Sequence, residues 1–425
     1  MVFIYRQEIL KDISLFTSQP KAKFYDELFI NLDLSCIPAQ NSKFGRASYS
    51  NHSMICAFIV MKCEGFSQIS DLHDYLSNNL IIAHYCGFDI SRELPSYAKF
   101  TRFIREFDND ILQTVMQSQV LKAADLSLID SSFIALDATP VKANVSNNNP
   151  KSFKKSKFSK ASHPKSDKDC RLGVQTASNQ HNEKNYEFYW GYKNHILVDC
   201  ISGLPVCELT TGANVSDSSV TLEILKRANS YLPMSECSFL ADKAYDVKAI
   251  YNTVHDTYNG DCFIALNKRN TKSPKKLPSG NIICEAGLAM HKDGKFSDSG
   301  RTRQKYCCPL KRSKNGNCPC NHKCWNNGKK NRGCTKYITL PDDYRLSIDR
   351  SSIAFKSVYA LRTEAERYNS RFKQAGCESV FVRNGNSVKN LNTIAHISLL
   401  SIAIAAVITK KDVSYRSVKT LKRLS

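Results

Sequence analysis

The pattern of apolar and polar residues divides the chain into stretches of different character. Residues 1–125 read as a helical N-terminal domain. Between positions 53 and 61 apolar residues nearly fill the segment, Gly65 interrupts it, and Ser70 stands where an N-cap would open the next helix. After Pro95 and Ser96, residues Tyr97, Phe100, Phe103, Ile104 and Phe107 recur at spacings of three and four, which predicts an amphipathic helix. The pattern then changes. Residues 131–138 (SSFIALDA) form a compact apolar run with strand character, and a polar, lysine-rich stretch follows from Lys142 to Tyr186. Such a composition cannot bury a core and predicts a solvated arm. From Tyr192, YKNHILVD, the turn residues SG and LPVCELTT predict a β-hairpin. Residues 220–228 predict a helix, CSFLAD a short buried strand ending in Asp242, residues 247–254 a helix, and CFIAL a further strand. This order argues for an α/β fold in which a mixed sheet is flanked by helices.

The later part of the chain is less regular. Residues 267–350 are rich in Lys, Gly, Asn and Cys and read as a Cys-rich insertion. It separates a first part of the core, 126–266, from a second part, 351–410, and a basic tail occupies 411–425. Residues 357–373 predict one long helix, followed by an apolar helix after Leu391. The apolar run at 394–408 is interrupted by His396, Ser398 and Ser401, and is shorter than the roughly 20 residues needed to span a bilayer. A buried helix is the expectation, with no membrane partner.

Charge narrows the partner. Sixty Lys and Arg against 39 Asp and Glu give a formal net charge of +21, which points to a polyanion, whether nucleic acid or anionic lipid. Arg92, Lys99, Arg102 and Arg105 crowd the predicted helix after Pro95, a pattern that suits DNA-end recognition and ordinary helix packing equally. The opening MVFIYRQEILKDISLF mixes charges into its apolar residues, unlike a secretory signal. The 17 Cys are scattered as well as clustered, which favours thiols in a reducing cytosol over a disulfide framework. A cytoplasmic, nucleoid-associated protein is the expectation.

The candidate chemistry lies in three carboxylates. Asp137 and Asp242 each follow an apolar run, where a charge is expensive unless paired or bound to metal. On the long predicted helix, Val358, Leu361, Ala365, Tyr368 and Phe372 define a buried seam. Beside it Tyr359, Arg362, Glu366 and Lys373 fall within an arc of about 60° at roughly 100° per residue. Arg362 and Glu366 could be an ordinary i,i+4 ion pair, but that does not account for Tyr359 and Lys373 on the same narrow face. Glu364 is expected to point to solvent.

These residues resemble a known family. Tyr359-x2-Arg362-x3-Glu366-x6-Lys373 looks like the Y-R-E-K signature of insertion-sequence DDE transposases. LDATPVKAN around Asp137, FLADKAYD around Asp242 and GYKNHILVDCISGLP between them resemble that family's other motifs, with Ala244 standing where Gly is more usual. The resemblance implies an RNase H-like core in which Asp137, Asp242 and Glu366 are catalytic and hold two Mg²⁺ or Mn²⁺ ions. It implies that Tyr359, Arg362 and Lys373 contact DNA at its phosphates or scissile end. The reaction implied is cleavage at transposon terminal inverted repeats and strand transfer into target DNA, with a homodimer on DNA for synapsis. Two other readings remain: an inactive transposase-derived DNA-binding protein, and a metal nuclease that cuts without joining.

Within the insertion, Cys307, Cys308, Cys318, Cys320, Cys324 and Cys334 gather together with His322. A structural Zn²⁺ on Cys308, Cys318, Cys320, Cys324 and Cys334 would staple a segment poor in apolar residues. The spacings are CC, C-x-C and C-x3-C rather than paired C-x2-C knuckles, so unpaired loop thiols are the alternative.

Overall fold

The computed structural model describes residues 17–40, 48–145, 163–164, 166–178, 184–267, 275–278, 281–298, 301–312, 334–339, 344–410 and 415–417. The lysine-rich segment 146–162, and Cys318, Cys320, Cys324 and His322 of the insertion, lie outside these residues. Six helices come first: α1 (Pro20–Ile30), α2 (Asn51–Cys63), α3 (Ile69–Asn78), α4 (Leu80–Tyr85), α5 (Tyr97–Glu106) and α6 (Asn109–Asp125). Their starts follow local chemistry. Ser50 and Asp108 accept backbone N–H bonds at the starts of α2 and α6. Ser70 is not a cap: α3 begins at Ile69 after the extended Gln68.

The sheet is built from β1 (Phe133–Lys142), β2 (Arg171–Ser178), β3 (Lys184–Asp199), β4 (Pro205–Gly212), β5 (Ser238–Ala241) and β6 (Asp261–Ile264). Helix α7 (Asp217–Asn229) lies between β4 and β5, and the short α8 (Lys248–Asn252) between β5 and β6. β1 is central, antiparallel to β3 on one side and parallel to β5 on the other, with β6 parallel beyond it and β4 antiparallel to β3. The resulting order β4-β3-β1-β5-β6 is an RNase H-like mixed sheet flanked by helices. β2 was not anticipated: part of the polar stretch pairs with the first half of β3, which starts well before Tyr192. Half its residues would face solvent in such an edge position, so a polar sequence is compatible with a strand there.

One continuous apolar core runs from the N-terminal helices through the sheet to the last helix, α12 (Gly385–Ile408). α12 is long and apolar enough to cross a membrane, but it is buried among α2, α5, α6 and β4. Its Leu391, Ile394, Ile397 and Leu400 are at most 1% exposed. Each such side chain contributes roughly 1.5–3 kcal/mol on burial, so the helix is a main part of the protein's core. The insertion folds as a three-stranded antiparallel sheet, β7 (His291–Asp298), β8 (Arg301–Cys307) and β9 (Thr335–Thr339). A small core of Ile282, Cys284, Met290, Cys308 and Cys334 supports it, separate from the main one. The short α9 (Tyr344–Ser347) ends the insertion, and α10 (Ile353–Ala360) and α11 (Thr363–Phe372) follow it.

Candidate active site

Three pieces of chain meet at the place where β5 stops. Leu136 pairs with Ala241, the last residue of β5, so Asp137 and Asp242 occupy consecutive positions beyond the final paired rung. The expectation that both carboxylates terminate strands needs correcting for Asp137. β1 continues to Lys142, and Asp137 sits in mid-strand, paired with Ile196 of β3. The notch comes from the shortness of β5. Asp242 turns away from the sheet into a single 3-10 turn, Lys243–Tyr245, and accepts the Ala244 N–H on Oδ1 at 2.7 Å.

Glu366 arrives on α11, which packs against β1 and β3. The single long helix expected over 357–373 is two helices, with turns at Leu361 and Arg362 between them and a π-type turn, Lys373–Cys377, after α11. The seam is fully buried only within α11, where Ala365, Tyr368 and Phe372 are at 0% exposure, while Val358 and Leu361 are partly buried. Glu364 contradicts its expectation. It is buried, bonded to Arg367 and to Arg416 from the C-terminal segment. Glu366 is the exposed one of the two, its side chain 53% accessible.

The polar row is partly assembled. Arg362 lies over the Tyr359 ring at 5.6 Å from its centroid and donates to Glu366 Oε1 at 2.7 Å. Tyr359 also stacks on Phe355, with centroids 5.6 Å apart. Lys373 is not joined to the row. It begins the π-type turn and lies 4.0 Å from Glu378.

Electrostatics tie the site together. The Asp137 carboxyl is pushed up to about 6, chiefly by burial, with the Ala138 N–H and Arg362 pulling it down and the negative charges of Asp242 and Glu366 adding to the rise. The charges of Asp242 and Glu366 are thus both felt at Asp137. Asn369, unnoticed in the sequence, donates from Nδ2 to Asp137 Oδ2 at 2.9 Å. It lies one turn beyond Glu366, and an i,i+3 reading of α11 could have found it. Three buried polar atoms without a hydrogen-bond partner belong to site residues or their neighbours: Asn369 Oδ1, Arg362 Nε and Tyr245 Oη. Among the described residues no group of three His, Cys, Asp or Glu is placed to hold a metal ion. The donor set nonetheless fits a hard divalent cation in kind, because it consists of carboxylate oxygens whose mutual repulsion a cation would relieve.

Residues 129–401 match the model of the Transposase DDE domain. None of the curated proteins compared matches the chain. Among solved structures, the piggyBac transposase synaptic complex with hairpin DNA is 12% identical, at a TM-score of 0.39, covering 98% of this chain and 79% of that one. The Mos1 transposase paired-end complex with left transposon end is 10% identical, at a TM-score of 0.17, covering 53% and 62%. Since the matched domain takes in β1 through most of α12, with Asp137, Asp242 and Glu366 all inside it, the chain belongs to the Transposase DDE domain family.

Proposed function

We propose that this chain cuts DNA at the terminal inverted repeats of its transposon and joins the freed 3′ ends to target DNA. In this reading Asp137, Asp242 and Glu366 hold two Mg²⁺ or Mn²⁺ ions. When bound, such a pair supplies activation of an attacking oxygen and stabilisation of the leaving one. The chain's own groups do the rest. Asp137 and Asp242 offer oxygens from neighbouring strands of the sheet at the point where β5 ends, which limits the reorganisation needed when substrate arrives. Arg362 and Lys373 hold phosphates, and the half-buried Tyr359 ring supports the scissile end. Water attacks in the first step and the 3′-hydroxyl in the second, each by in-line displacement at phosphorus. Synapsis of two ends calls for a homodimer on DNA.

The observation that carries the reading is geometric: the pairing of Leu136 with Ala241 sets Asp137 beside Asp242, and the helix bearing Glu366 packs on the same strand β1. Glu366 is paired with Arg362 there, so substrate phosphate would compete for the arginine and free the glutamate. A strand-transfer assay tests the proposal, using a labelled duplex that carries the terminal repeat. Wild type is expected to yield joined product in Mg²⁺, and Asp137→Asn, Asp242→Asn and Glu366→Gln to yield neither cut nor joined product while still binding the duplex. Cleavage without joining would favour the nuclease reading, and binding alone would favour the inactive one. A structural Zn²⁺ in the insertion is a second, separate reading. It is supported by Cys308 and Cys334 meeting in the small core, where the Cys308 N–H donates to the Cys334 carbonyl at 2.9 Å.

A further inference from the structure

Asn369 is an expensive choice for its position. It is 8% exposed, on the α11 face packed against the sheet, next to Tyr368 in the buried seam. Only Nδ2 is satisfied, by Asp137 Oδ2 at 2.9 Å, whereas the buried Oδ1 has no hydrogen-bond partner. Leaving such an acceptor unpaired costs about 1–3 kcal/mol, a cost that leucine in the same volume would avoid. Packing therefore does not account for an amide here, and its single hydrogen bond does.

We infer that Asn369 is a positioning residue for Asp137, its amide N–H fixing the rotation of the carboxylate before DNA arrives. The inference rests on the proposed catalytic role of Asp137. A carboxylate with no side-chain donor turns freely about its last bond. One held at Oδ2 presents the same lone pairs in every copy of the protein, which is what a preorganised site requires. The geometry also couples two acids. Asn369 and Glu366 are one turn apart on α11, so the rigid-body placement of that helix sets Glu366 and the orientation of Asp137 together. The helix is in turn held by Tyr368, whose hydroxyl bonds His396 Nδ1 at 2.6 Å, with His396 Nε2 bonding Asn194 Oδ1 of β3 at 3.1 Å.

The test uses the full chain and a duplex carrying the terminal inverted repeat, with Asn369→Ala and the similarly branched Asn369→Leu, which removes the donor without adding charge. Three quantities are measured: the single-turnover cleavage rate at saturating duplex, duplex affinity, and melting temperature. Asn369→Leu is expected to lower the rate by about tenfold to a hundredfold, the usual scale for an orienting hydrogen bond beside a ligating group. Its duplex affinity should stay within about twofold and its melting temperature close to wild type, since a purely structural role would move these first. A wild-type rate in Asn369→Leu overturns the inference, as does a loss confined to affinity. Should Asn369→Ala fail to fold, Asn369→Leu decides alone. Asp137→Asn, run alongside, separates the two failures. Normal cutting by Asp137→Asn removes the proposed function, whereas an inert Asp137→Asn beside a fully active Asn369→Leu removes only this inference.

Discussion

Glu364 and Glu366 stand two residues apart on α11 and meet opposite environments. Glu364 is enclosed with Arg367 and Arg416, and Gly203 packs so close that a Cβ there would come within 3.1 Å of its Oε2. Removing its charge leaves arginines without their partner, so Glu364→Gln is expected to lower stability by about 1–3 kcal/mol, read by urea unfolding. Glu366 is half exposed and paired with Arg362, so Glu366→Gln should change stability by less than about 0.5 kcal/mol while removing cleavage. Asp137 gives a prediction of opposite sign. Its folded pKa is raised, so the stability linked to its proton is present at acid pH and is lost as pH rises through about 6. At pH 8, without metal, Asp137→Asn should therefore melt higher than wild type. Partial exposure returns part of the effect to solvent, leaving about 1–2 kcal/mol. A mutant that melts lower would show that the carboxylate is not strained by its neighbours.

At the scale of elements, the helix that brings Glu366 is fastened at both ends. Behind it, the segment after α11 is tied to the far end of β1: the Lys142 N–H donates to the Glu378 carbonyl at 2.9 Å and the Val380 N–H to the Lys142 carbonyl at 3.0 Å. The π-type turn between them is pressed against the loop following α2. Gly376 has φ +75°, and a Cβ there would lie 2.5 Å from the Phe66 carbonyl oxygen. Gly376→Ala thus combines a left-handed backbone with a clash against main chain and should cost about 2 kcal/mol or more. It should also slow cleavage beyond what that loss of stability predicts, because α11 would shift as a body. The insertion is fastened in a similar way. The buried Asp246 accepts from Asn267 N at 2.9 Å, Tyr251 Oη at 3.0 Å and Arg345 Nη1 at 3.2 Å, joining the points where the chain leaves and rejoins the core.

At the scale of the molecule, a buried polar network crosses the main core. Glu208 of β4 accepts from Gln113 of α6, Thr393 of α12 and Thr210 and Asn194 of the sheet, and burial raises its pKa despite these donors. His396 lies in the same layer, stacked on Phe372 at 4.7 Å, and burial holds its pKa down to about 3. His195, buried beside β4, is lowered to about 4 for the same reason. A lowered histidine contributes stability that is full above its unfolded pKa of 6.5 and is lost as pH falls toward the folded value. The histidines' share of the unfolding free energy should therefore drop between about pH 6.5 and 4, against the opposite trend of Asp137 and Glu208, and His396→Gln should make the profile fall less, or rise more, toward acid over that range. An unchanged slope would mean that His396 is not held neutral. Acid sensitivity would sit in the joint between the N-terminal helices and the sheet, since this network spans it.

Much was legible in advance because it depends on periodicity and composition, which are local. The strand–hairpin–helix order of the core, the amphipathic seam of α11 and the apolar character of α12 follow from side-chain patterns that any fold must satisfy. Asp137, Asp242 and Glu366 could be singled out because a carboxylate beside an apolar run, or a polar row beside a seam, conflicts with burial unless it has a task. Tertiary contact decided the rest. Which of Glu364 and Glu366 is enclosed depended on Arg416 folding back from beyond α12. β2 formed because β3 offered an unpaired edge to a sequence too polar to declare itself. Asn369 acquired its role only when α11 came down on β1, since an amide one turn from a glutamate carries no signal until the carboxylate it holds is brought to it from 232 residues away.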